Sequence, residues 1–247
     1  IDGLNRGEPW RAPCVVGGSI SNYILNPELN TRRVEFEDMF ESAEVQIEVQ
    51  LEYLRWKAFN LYCDREMGIP ESGWQLAVDF QNSWDASWFG CPIEYPPGLI
   101  PDTREILREN KGALYDMEDP DPLGSGLVGR GVEFYEQMLE MCPSLEYQGA
   151  PVLPPASLPG EGSDGPLLAA YKLRGADNIL MDMLTDEEYY ADLMTFVTGN
   201  TIRRMKALRE YRWEKCPEAS DKGDYGGECL LFADDAIALI SDRKSVV

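Results

Sequence analysis

The sequence predicts an α/β fold built around a parallel sheet, and three observations carry that prediction. Short apolar runs alternate with long amphipathic segments along the chain. The runs lack polar alternation, as strands covered on both faces do. Three of them lead directly into glycine or aspartate, where parallel α/β folds gather their functional groups.

The runs are Pro13–Val16, Leu76–Asp79, Pro151–Leu153 and Cys229–Ala233. The clearest helix is predicted over 37–61, where Phe40, Ala43, Ile47, Leu51, Leu54, Ala58 and Leu61 recur at spacings of three or four. Glu44, Glu48, Glu52 and Lys57 fill its wet side. A second helix is predicted over 186–213, burying Tyr190, Leu193, Val197, Met205 and Leu208, with Gly199-Asn200 as a weak point. The Glu187-Glu188 pair at its start suits the helix dipole and requires no function. A third helix, over 132–141, stops before Pro143. Loops rich in Pro, Gly and Asp are expected near 92–102, 117–131, 154–166 and 214–227. No internal repeat or interdomain linker is visible.

Composition narrows function. The 247 residues carry 22 Lys+Arg against 44 Asp+Glu, a net charge of −22 that argues against nucleic acid or anionic membrane partners. No run reaches the roughly 18 apolar residues of a membrane span. The absence of histidine excludes a Ser-His-Asp or Cys-His triad and an HExxH zinc site within this chain. The six cysteines form no CxxC pair, so reduced, buried thiols and a cytosolic location are expected.

The strand ends supply the candidate site. Val15-Val16 leads into Gly17-Gly18, Leu76-Ala77-Val78 into Asp79, and the run ending at Ala233 into Asp234-Asp235. An aspartate there either acts on a ligand or caps the next helix, and both readings stand. Gly124 to Gly129 matches GxGxxG, but acidic residues precede it instead of a strand. It is expected to be a flexible or substrate-covering loop, not a nucleotide site. Trp84, Trp88 and Phe89 are expected to form a packed aromatic cluster. Asp234-Asp235 alone makes a weak site for a hard cation.

Several segments together resemble the uroporphyrinogen decarboxylase superfamily. They are GPLLAAYKLRG from Gly165 to Gly175 with the Asp186-Glu-Glu that follows, ECLLFADDAIALIS from Glu228 to Ser241, LAVDF from Leu76 with WFGCP from Trp88, and NRGEPWRAP from Asn5 to Pro13. The resemblance spans 1–241 and implies a TIM (β/α)8 barrel of which about the first four βα units are present. It implies Asp79, Tyr171 and Asp235 as catalytic, and Gly17, Gly18, Asn22 and Asp234 as substrate-binding. Gly18 and Asn22 stand where the decarboxylases carry propionate-gripping arginines.

Methyl transfer from a methylcorrinoid or another one-carbon donor is therefore expected ahead of tetrapyrrole decarboxylation. A non-catalytic barrel binding a corrinoid or a protein is the alternative of another class. The implied partner is a tetrapyrrole or corrinoid, free or on a corrinoid protein, and a homodimer stays open. No metal ligands are expected in this segment, since the superfamily's zinc ligands would fall beyond it. The chain reads as cut at both ends, and residues 242–247 match the translation of a common sequencing adapter.

Overall fold

Helices broken by short strands run through the computed structural model, which describes Cys14, residues 16–64 and residues 67–215. In chain order the elements are α1 (Ile20–Ile24), α2 (Phe36–Glu41), α3 (Ala43–Asn60), β1 (Trp74–Gln75), α4 (Trp84–Trp88), β2 (Ile93–Glu94), β3 (Asp102–Thr103) and α5 (Gly126–Met141). They continue with β4 (Glu146–Tyr147), β5 (Ala150–Leu153), α6 (Pro166–Arg174), α7 (Ala176–Thr185) and α8 (Glu187–Lys215). Helix and sheet are thus mixed. The elements group into two compact units. The first holds the described residues of Ile1–Val78 with Gly98–Ile100 and Phe134–Pro155. The second holds Asp79–Pro97, Pro101–Glu133 and the described residues of Ala156–Val247.

In the first unit, the helix predicted over 37–61 divides at Ser42. That residue is extended at φ −137°, and its hydroxyl accepts the Val45 N–H at 3.2 Å, capping α3. Phe40, Ala43, Ile47 and Leu51 are buried as the periodicity requires. The buried face is wider than the predicted stripe, because Gln46, Val49, Gln50 and Tyr53 are buried too. Gln50 has a specific task. Its amide nitrogen donates to the Ala77 carbonyl at 2.7 Å, and its oxygen accepts the Ala77 N–H at 3.0 Å. One side chain thereby supplies both bonds that a neighbouring strand would make.

β1 runs parallel to β5, with Trp74 opposite Val152, and β4 pairs antiparallel to β5. The expected strand at 151–153 is present. The one expected at 76–79 pairs two residues earlier, at Trp74–Gln75. Beyond it only the Leu76 N–H reaches β5, bonding to the Leu153 carbonyl at 3.1 Å, and Ala77 turns to Gln50 instead. Cys14 and Val16 lie outside any strand, and Cys14 bonds to Asp64 through both its N–H and its carbonyl. The run at 229–233 lies outside the described residues.

In the second unit, α8 continues through Gly199-Asn200 without a break. Buried Asn200 donates to the Phe196 carbonyl and to Asp119 Oδ1, both at 3.0 Å, so it stabilises the point that sequence marks as weak. The 117–131 segment is a loop only as far as Ser125. Gly126 opens α5 at φ +51°, and a Cβ there would stand 2.3 Å from the Ser87 carbonyl oxygen. The Leu127 N–H then bonds to Ser87 Oγ at 3.1 Å. The glycine motif is therefore a close-packed helix start, neither a mobile cover nor a phosphate cradle.

The helix at 166–174 has no periodicity long enough to read, while the one at 176–185 matches the Met- and Leu-rich helix expected before Asp186. They share Gly175, at φ +87°, where a Cβ would lie 2.6 Å from Arg108 Nη1. No helix among the described residues is long and apolar enough to cross a membrane.

Candidate functional site

The second unit contains a cavity of about 230 Å³ whose polar lining comes from three segments. The turn into α4 provides Asn82 and Asp85, the loop before α6 provides Asp164, and α6 itself provides Tyr171 and Lys172.

Asp85 is the structural centre of this lining. It lies in the first turn of α4, between Trp84 and Trp88, and is only 4% exposed. Its Oδ1 accepts from Arg204 Nη1 at 2.6 Å and its Oδ2 from Ser163 Oγ at 3.1 Å. Arg204, on α8, is fully buried. Its guanidinium lies 4.8 Å from the ring centroids of both Trp84 and Trp88 and donates to the carbonyls of Gly160 and Gly162. Ser163 Oγ also accepts the Gly165 N–H at 3.0 Å, tying the carboxylate to the start of the helix that bears Tyr171. Two of the four lone-pair directions of Asp85 are used by these side chains.

Lys172 is the only cation among the lining residues. Its Nζ pairs with Asp102 Oδ1 at 2.5 Å and lies 5.9 Å from the Tyr171 ring centroid. The lining thus offers a phenol, an amide and two carboxylates, while its cation is engaged from the side. Such a surface accepts N–H or cationic groups and can donate one phenolic proton, and it is poorly suited to gripping several carboxylates.

The sequence-predicted residues fare unequally. Tyr171 is half-buried and lines the cavity. Asp79 is half-buried at the end of its extended segment but is not among the lining residues. Its Oδ1 accepts the Gln81 N–H at 2.7 Å, and both its oxygens receive the Gln81 side-chain amide at 3.0 Å. Gln81 has φ +51°, a backbone state unusual for a residue with a side chain, and Asp79 holds it there. Burial pushes the Asp79 carboxyl above the usual carboxylate range, while the Gln81 bonds pull the other way.

Gly17, Gly18 and Asn22 belong to the first unit and are exposed, and the Gly18 carbonyl accepts the Tyr53 hydroxyl. Asp234 and Asp235 lie outside the described residues. Asp85, Asp164 and Arg204 were not anticipated. The available signal was a charged residue placed between two tryptophans in the segment predicted to pack as an aromatic cluster. Cys91 and Cys142 are buried free thiols, each pushed up to about 11 by burial, which disfavours the thiolate. Compared with known proteins, the chain matches no family profile, no curated protein and no solved structure.

Proposed function

We propose that this chain belongs to a TIM-barrel enzyme of the uroporphyrinogen decarboxylase superfamily that transfers a methyl group from a methylcorrinoid or related one-carbon donor. The observation that carries the reading is Tyr171. The residue that motif resemblance singles out lines a cavity beside the buried Asp85 carboxylate. The parallel pairing of β1 with β5 is what neighbouring strands of such a barrel require.

Methyl transfer ranks ahead of tetrapyrrole decarboxylation on electrostatic grounds. An octa-acid needs cations, yet Gly18 and Asn22 offer none, Arg204 is committed to Asp85, and Lys172 is committed to Asp102. In this reading Asp85, held in place by Arg204 and Ser163, and Asp164 orient N–H or amide groups at the edge of the substrate. The Tyr171 hydroxyl donates to oxygen or sulfur on the reacting group. Asp79 shapes the turn before α4. Among the described residues no three His, Cys, Asp or Glu side chains converge as a metal site.

The test is an activity assay of the full chain. Methylcobalamin with a thiol acceptor should yield a methyl thioether and cob(I)alamin, with the thiol proton released, and uroporphyrinogen should be converted poorly. Tyr171→Phe should lower kcat by about 100-fold with little change in melting temperature. Efficient decarboxylation of uroporphyrinogen would place the carboxy-lyase first. Saturable corrinoid binding without turnover would favour the non-catalytic barrel.

A further inference from the structure

Helix α3 carries a second stripe that the proposed reaction does not use. Glu52, Arg55, Trp56 and Phe59 follow one another at spacings of three, one and three, which sets them along one side of the helix. They line a cavity of about 400 Å³ in the first unit, closed by Tyr23 from α1 and Tyr147 from β4. The Tyr23 and Trp56 rings stand 6.5 Å apart at 56°, a tilted wedge instead of a parallel stack. Tyr147 is fixed from behind, since its ring meets Trp74 edge-on at 5.9 Å and its carbonyl accepts the Trp74 indole N–H at 2.7 Å.

Charge and size indicate what this wedge accepts. Aromatic faces carry negative potential and attract cations. Glu28 and Glu52 bring two carboxylates to the lining and Arg55 one guanidinium, and because Glu52 already pairs with Arg32, Glu28 is the carboxylate offered to a cation. Glu52 is steadied by the Tyr23 hydroxyl and by Arg32, each at 3.4 Å, so it is held in place near the rings. A primary ammonium ion would be satisfied by Glu28 alone and has no need of rings. A methylated ammonium cannot donate enough hydrogen bonds to a carboxylate, and it gains most from aromatic faces with a carboxylate nearby. The cavity volume falls in the range of small-molecule sites.

We propose that this cavity binds a small molecule bearing a quaternary, methylated ammonium group. The same headgroup also occurs on phosphatidylcholine, so the experiment includes both sources. Choline binding to the full chain is followed by calorimetry and by quenching of tryptophan fluorescence. It is compared with the neutral isostere 3,3-dimethylbutan-1-ol and with phosphatidylcholine vesicles.

Choline should bind saturably and the isostere at least about tenfold more weakly, because only the positive charge differs. Trp56→Leu should weaken choline by about tenfold. Trp56→Phe, which keeps a ring and is the gentler change for folding, should weaken it less, and Glu28→Gln should also weaken it. Equal binding of choline and the isostere, or no choline binding, overturns the proposal. Binding to vesicles without binding of free choline overturns it as well, and points to a lipid surface.

Discussion

The two units bury polarity in different ways. Among the described residues of the first, the buried polar side chains are neutral: Ser21, Gln46 and Gln50. In the second they include four charges, Asp85, Arg174, Asp182 and Arg204, which form two ion pairs at 2.6 and 2.7 Å. The difference follows from what each unit must satisfy. In the first, Ala77 lies just past the last pairing of β1, and a single amide matches its donor and acceptor without desolvating a charge. The second must gather carbonyls from irregular loops. Arg174 takes those of Leu107 and Arg108, and Arg204 takes those of Gly160 and Gly162. Only a guanidinium has enough donors in one plane for that, and each then needs a carboxylate. The lesson is that charge is buried here to organise loops, and one of the carboxylates so required also lines the cavity.

The contrast is most strongly challenged at Asp85. Asp85→Ala leaves Arg204, which is fully buried, without its carboxylate. Breaking a buried pair from one side costs about 3–5 kcal/mol. Denaturant unfolding of the full chain should show a loss in that range. A loss below about 1 kcal/mol would mean that the loop carbonyls alone satisfy Arg204, and the distinction between the units would collapse.

Gln50→Leu gives the next largest effect. It leaves the Ala77 N–H and carbonyl without the partner that bonds both. Ala77 is exposed, so water can take over part of this bonding, and a loss of about 1 kcal/mol, the net worth of an ordinary hydrogen bond, is expected. Because the groups are neutral, that loss should be the same at pH 5 and pH 8. A pH-dependent loss would show that the first unit also relies on charge.

What the sequence allowed us to read divides along the same line. The long periodic helices, the strand at 151–153 and the packed tryptophans were legible, because each repeats an apolar signal over several residues. The position of β1 was missed. The apolar run 76–78 continues past the last strand pairing, and nothing in a local window shows that Gln50, 27 residues earlier, takes over Ala77. Helix α6 was missed because glycines with positive φ bound it at both ends and it is too short for a clear period, whereas the Met- and Leu-rich stretch before Asp186 did read as the helix α7. In the cavity, Tyr171 was legible through a motif, while Asp85 depends on Arg204, 119 residues away in the chain. Pairings at that range arise from tertiary packing and leave no local trace.

Asp79 provides the finest test, because the resemblance implies a catalytic role at that position and the geometry makes it part of a turn. Its folded-state value lies above the ordinary carboxylate value, with burial as the leading cause. The sign follows from linkage. Stability contributed by this group is greatest below the unfolded value, falls as pH rises through the folded value, and stays reduced at neutral pH. Asp79→Asn removes the charge while keeping an acceptor for the Gln81 N–H. The variant should therefore melt slightly higher than wild type at pH 7, and the difference should vanish near pH 3, where both forms are uncharged. Turnover should stay within about threefold of wild type, because asparagine forms the same local turn. Melting curves at the two pH values, run beside the methyl-transfer assay, separate the alternatives. Unchanged stability with a fall in turnover of about 100-fold would return Asp79 to the reacting centre, since a loss of that size marks a charge that stabilises a transition state.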